Sequence, residues 1–165
     1  MVDIQEIIDT FMENPLFGIG YYGPLILIFI NIYFLYDRFF WCCVYILFVV
    51  LNTFLNKALK IWIKEPRPTN WKSFGTFERL EKEESYGMPS GHAQSAMFSV
   101  MFYYLLFGID EILYIMLFIS GLTLFQRAYN KNHTITQLLI GLIVGGLFSY
   151  IIYCIAKKYK NKILL

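Results

Sequence analysis

Three short segments of this chain concentrate side chains able to do chemistry: Lys60-Ile-Trp-Ile-Lys-Glu-Pro-Arg67-Pro68, Pro89-Ser90-Gly91-His92, and Arg127-Ala-Tyr-Asn-Lys-Asn-His133, with Gln137 a helical turn further on. The chain has only two histidines, His92 and His133, and both fall within them. A histidine titrates near neutral pH and can serve as nucleophile, base or acid. Two histidines can divide a difficult hydrolysis into two displacements, one taking the transferred group and the other protonating what leaves. Lys60, Arg67 and Arg127 offer fixed positive charge. Arginine grips a phosphate through paired hydrogen bonds, whereas lysine acts as a point charge. Ser90 and Gly91 stand where a helix is expected to begin, and the free N–H groups of a helix N-terminus suit an anion. Together these residue types are fitted to phosphoryl transfer.

The elements that must position them are membrane helices. The 165 residues are 58% hydrophobic and only 16% charged, against roughly 45–50% and about 25% in soluble domains. The length suits a single domain, 1–165, embedded in a bilayer. A net charge of +2 is too small to indicate a nucleic-acid partner. Asp3, Glu6, Asp9 and Glu13, without an early Lys or Arg, do not make the basic start of a signal peptide. Cys42, Cys43 and Cys154 lie in or beside apolar runs, where thiols pack as small hydrophobes. No cysteine or histidine spacing typical of a metal site occurs.

A spanning helix needs about 20 apolar residues. Residues 1–17 instead place Ile4, Ile7, Ile8, Phe11 and Met12 on one helical face opposite acids, which predicts an amphipathic helix at the membrane surface. Pro15 and the glycines at 18, 20 and 23 are expected to break the chain there. Five spans are then predicted: Tyr21 to Tyr36, Phe39 to Ile63, Pro89 to Phe107, Ile112 to Arg127, and Ile135 to Ala156. A polar loop, 64–88, joins the second to the third, and a basic tail, 157–165, ends the chain. The fold class is therefore all-α, an integral membrane bundle. Alternating spans bring Lys60, His92 and His133 to one end. Asn52 and Asn56 fall on the same stripe as Lys60 and are expected to hydrogen-bond within the bundle. Gly141, Gly145 and Gly146 are expected to allow close helix packing, and the acidic run from Glu78 to Glu84 to be solvated loop.

The three segments resemble the signature of the type 2 phosphatidic acid phosphatase superfamily, K-x6-R-P, P-S-G-H and S-R-x5-H-x3-D. The first two match without substitution, and the third keeps Arg127 and His133 at the family separation. The resemblance implies that His133 is the nucleophile of a phosphohistidine intermediate and that His92 protonates the leaving group. It also implies that Lys60, Arg67, Ser90, Gly91 and Arg127 hold the phosphate, with no metal or other cofactor required. The site is expected on the non-cytoplasmic face, as is usual in the family.

Gln126 stands in place of the family serine, and Gln137 in place of the aspartate that orients the nucleophile. The Gln137 amide can fix the imidazole tautomer but supplies no full charge. The same glutamine, with Gly87-Met88 and Ala93-Gln94 flanking the second segment, resembles the dolichyl-diphosphatase branch, although Gly91 is often serine there. A polyprenyl diphosphate substrate is the reading this favours. A phosphatidate or phosphatidylglycerophosphate phosphatase, and a degenerate relative that binds phospholipid without turnover, remain the alternatives. Oligomeric state is not legible.

Overall fold

An apolar run bounded by proline, glycine or charge folds as a helix because a helix satisfies its own backbone where no water does. The computed structural model describes residues 15–72 and 86–163. There the chain forms α1 (Pro15–Leu35), α2 (Phe39–Ile63), α3 (Gly91–Phe107), α4 (Glu111–Tyr129) and α5 (Ile135–Ile163). The five expected spans are found as five helices in an all-α membrane bundle. Helices α1, α2, α4 and α5 are long and apolar enough to cross a membrane. Helix α3 has 17 residues, about 26 Å at 1.5 Å per residue, and it is the central element. It packs against all four others, and Ala93, Ala96, Phe98 and Phe102 on it are wholly buried. Large apolar side chains such as Phe29, Phe54, Phe118 and Leu147 point outward instead, the distribution expected where the surround is lipid.

Several boundaries differ from the sequence reading. Helix α1 begins at Pro15 and runs through the glycines expected to break it. Proline is tolerated at a first helical position, where its missing N–H would be unused anyway. The glycines are contact points: a Cβ on Gly20 would lie 2.7 Å from the Leu122 carbonyl oxygen, and one on Gly23 would overlap the Thr123 hydroxyl. Small residues let α1 and α4 approach closely. Residues 15–17 thus belong to a span, while the rest of the expected surface helix, like the acidic run from Glu78 to Glu84, lies outside the described residues. Helix α5 likewise continues past Ala156, so Lys157, Lys158, Lys160 and Lys162 ride on a helix rather than a tail.

The second close pair is α3 and α5. Gly141 would set a Cβ 2.7 Å from the Ser90 carbonyl oxygen, and one on Gly145 would overlap the Gln94 carbonyl. Between α2 and α3 the bundle is polar, as the asparagine stripe foretold. Gln94 donates to the Asn52 side chain at 2.9 Å and accepts from Asn56 at 2.8 Å. These amides are buried and satisfy one another, which is what an apolar surround demands.

Alternation of the helices puts the ends of α2 and α4 beside the starts of α1, α3 and α5. All three chemical segments meet at that end.

Candidate active site

Helix α2 stops after Ile63, where Lys64 takes a left-handed conformation (φ 55°) and turns the chain back. Pro66 and Pro68 keep the following strap extended, and it crosses the mouth of the bundle. This carries Arg67 to the loop between α4 and α5. There its guanidinium donates to the Asn132 carbonyl and to His133 Nε2, both at 3.2 Å.

The opposite nitrogen, His133 Nδ1, lies 3.2 Å from Gln137 Oε1. A guanidinium only donates, so Nε2 must present its lone pair and Nδ1 must carry the proton. The imidazole is thereby fixed in one tautomer, with its unprotonated nitrogen turned toward the cationic side of the site. His133 is buried. Burial, then the charges of Arg67 and Lys60, lower its pKa well below the ordinary value; the Gln137 hydrogen bond opposes this, and Arg127 adds a smaller lowering effect. Three cations from two of the three segments therefore act on one neutral imidazole.

His133 stands just before α5, so its contact with Gln137 forms across the helix start. Thr134 Oγ1 accepts the Gln137 backbone N–H at 3.2 Å, and Gln137 Oε1 accepts the Thr134 N–H at 3.3 Å. This is a capping box, the reciprocal arrangement that Thr and Gln three residues apart favour. Gln137 thus holds the start of α5 and the His133 imidazole with the same oxygen.

The Pro89-Ser90-Gly91-His92 segment opens α3. Ser90 caps the helix by accepting from the Ala93 N–H at 3.5 Å, and its own N–H donates to the Gln137 carbonyl at 3.0 Å. Asn56 donates to the Pro89 carbonyl at 3.2 Å and lies against Gly91, where an added Cβ would come within 3.2 Å of its Oδ1. His92, partly exposed on the first turn of α3, has its ring 5.7 Å from that of Tyr21. The guanidinium of Arg127, itself fully buried, sits 4.9 Å over the same Tyr21 ring. Tyr21 therefore joins the His92 and Arg127 parts of the cluster, a link from α1 that the sequence reading did not contain.

A family sequence profile described as the PAP2 superfamily matches residues 41–161. This chain belongs to that superfamily. Among curated relatives, it is 28% identical to "Dolichyldiphosphatase" of Saccharomyces cerevisiae over 74% of this chain and 55% of that protein. It is 33% identical to "Dolichyldiphosphatase 1" of Dictyostelium discoideum over 59% of this chain and 44% of that one. It is 26% identical to "Lipid phosphate phosphatase gamma" of Arabidopsis thaliana over 60% and 46% respectively. The chain spans about half the length of the curated relatives it matches. No solved structure matches it.

The histidines and cations named from the signature are the ones that meet in this cluster. The signature does not contain the other neighbours: Tyr21, Asn56 as a clamp on the second segment, Glu65 and Gly87. Asn56 had a signal in its place on the stripe with Lys60, and Gly87 in the likeness of its segment to the dolichyl-diphosphatase branch. Gln126, the substituted position before Arg127, is fully buried. Its Cβ faces Gly20 of α1, and neither end of its amide finds a hydrogen-bond partner among the described residues.

Proposed function

We propose that this PAP2 protein hydrolyses the terminal phosphate of a polyprenyl diphosphate, leaving the monophosphate, through a phosphohistidine on His133. The observation that carries this is the fixed tautomer: Nε2 of His133 is unprotonated and held against Arg67. In the first step the Nε2 lone pair attacks the terminal phosphorus, and the bond to the bridging oxygen breaks. His92 donates its proton to that oxygen. Water then attacks the phosphohistidine while His92 takes a proton back, the P–N bond breaks, and inorganic phosphate leaves. Lys60, Arg67 and Arg127, with the Ser90–Gly91 start of α3, stabilise the transferring oxygens.

A diphosphate suits this site for a physical reason. The leaving group is then a phosphate, whose second pKa is about 6, rather than a far more basic alkoxide. An imidazole supported by an amide gives less push than one supported by a carboxylate, and such a leaving group needs less. The names of the two dolichyldiphosphatase relatives support the same substrate class. The Arabidopsis lipid phosphate phosphatase keeps monoester lipids as the competing reading.

Phosphate release from detergent-solubilised protein tests the reading. His133→Ala should lower kcat by at least about 10³-fold, as expected for loss of an activated nucleophile. His92→Ala should cost roughly 10²- to 10⁴-fold, the usual share of a general acid. Equal release by wild type and His133→Ala would rule out the mechanism. A higher kcat/KM on phosphatidate than on dolichyl diphosphate would reassign the substrate. We further propose that the site opens on the non-cytoplasmic side, with the lysine-bearing end of α5 toward the cytoplasm.

A further inference from the structure

The aspartate that would orient the nucleophile is replaced by Gln137, yet a carboxylate is still present one step further out. Gln137 Nε2 donates to Glu65 Oε1 at 2.9 Å and to the Pro66 carbonyl at 2.9 Å. Its Oε1 receives His133 Nδ1–H and the Thr134 N–H. The amide has two N–H donors and two oxygen lone pairs, and all four are committed. Turning it over would set its N–H groups against the imidazole N–H and its oxygen against a carboxylate and a carbonyl. The network therefore allows one orientation.

The backbone encloses this arrangement. Gly87 donates to the Glu65 carbonyl at 2.7 Å and lies so close over the amide that a Cβ there would come within 2.6 Å of Gln137 Nε2 and 2.7 Å of Oε1. Glu65 sits on the strap that also carries Arg67. One short segment thus reaches both nitrogens of the imidazole, Nε2 directly and Nδ1 through the amide.

We infer that Glu65 is a positioning residue for His133, acting through the Gln137 amide to restore the carboxylate that this chain lacks beside its nucleophile. A negative charge on the amide N–H draws electron density toward Oε1, because linked hydrogen bonds polarise one another. That makes Oε1 a stronger acceptor for Nδ1–H as the imidazole gains positive charge during attack. No proton passes to Glu65: the imidazole proton stays on Nδ1 and the amide keeps both of its own. The inference rests on the proposed role of His133, but the orientation of the imidazole can be measured without turnover.

The test uses the full chain in detergent, labelled with ¹⁵N-histidine. With only two histidines in the chain, a His92→Gln sample identifies the His133 signals. Wild type should show a single Nδ1–H tautomer at His133. Glu65→Ala should keep that tautomer, which Arg67 imposes, but weaken the Nδ1–H hydrogen bond and move its proton signal upfield. It should also lower kcat about 10- to 100-fold, the range for one hydrogen bond to a charged group, with KM little changed. Glu65→Gln keeps an acceptor without the charge, so it should restore part of the signal position and part of kcat. Gly87→Ala, which displaces the amide from above, should reproduce the Glu65→Ala spectrum. An unmoved Nδ1–H signal in Glu65→Ala overturns the inference, whether kcat is retained or falls together with the melting temperature. A His133→Ala protein that still releases phosphate overturns the catalytic reading instead, and leaves the Nδ1–H signal to decide the positioning role.

Discussion

At the scale of the residue, the proposed role of His133 requires that it stay neutral. A nucleophilic imidazole must offer a lone pair, and burial together with the charges of Arg67 and Lys60 depresses its pKa. A depressed pKa keeps the neutral form populated as pH falls, so the acid limb of kcat/KM should lie below pH ~6.5, the ordinary histidine value. Removing a neighbouring positive charge must raise the pKa. Lys60→Met should therefore move that limb to higher pH, besides weakening phosphate binding by roughly tenfold or more, since a charged contact is lost. A pH profile of kcat/KM in the two proteins checks it, and an acid limb that stays in place would mean that another group is titrating. The histidines and cations of the cluster were legible in the sequence because residue type and spacing declare them. Glu65 and Tyr21 were not, since each acts through a contact between elements: the strap must cross the bundle before Glu65 meets Gln137, and α1 must pack on α4 before Tyr21 lies under Arg127.

At the scale of the element, the apolar runs made the five described helices legible, and two ends were misjudged for different reasons. The charge after Ala156 was read as a tail although the helix continues through it, and glycine was read as a breaker near residues 18–23, whereas inside a membrane bundle it serves as a contact surface. The same property was read correctly at Gly141 and Gly145, because no proline stood beside them. These contacts differ in tightness, and the difference is measurable. A Cβ on Gly141 would press on the Ser90 carbonyl at 2.7 Å, while one on Gly146 would stand 3.5 Å from the flexible Met97 side chain. Gly141→Ala should destabilise the protein by about 1–3 kcal/mol, the usual cost of overpacking. It should also reduce kcat, because the displaced residue opens the helix bearing His92. Gly146→Ala should be neutral, or stabilising by up to about 1 kcal/mol through helix propensity. Thermal unfolding in detergent with parallel assays of phosphate release separates the two; equal losses would show that α3 and α5 do not pack as closely as the Ser90 contact requires.

At the scale of the whole molecule, the two ends of the bundle use positive charge differently. At the site end, Lys60, Arg67 and Arg127 all act on His133. At the opposite end, Lys157 lies 5.5 Å over the Tyr153 ring and Lys160 lies 5.6 Å over Trp41. Those two rings are stacked at 5.5 Å, an aromatic and basic edge of the kind found where a span leaves the hydrocarbon. Helix α5 has 29 residues, about 43 Å at 1.5 Å per residue, and exceeds the ~30 Å hydrocarbon layer. Its terminal lysines therefore reach water or headgroups. Exposed lysines also stand at the site end, Lys64, Lys72 and Lys131 among them, so the positive-inside bias does not separate the two ends, in the structure as in the sequence. The proposed orientation, with the lysine end of α5 in the cytoplasm and the site facing away, is checked directly. Single cysteines in a variant lacking Cys42, Cys43 and Cys154 give the measurement. In sealed cells, Lys72→Cys on the site-end strap should react with a membrane-impermeant maleimide, and Lys162→Cys should react only after permeabilisation. The reverse pattern would place the site in the cytoplasm, and the proposed lipid substrate would then have to be dephosphorylated from the inner leaflet.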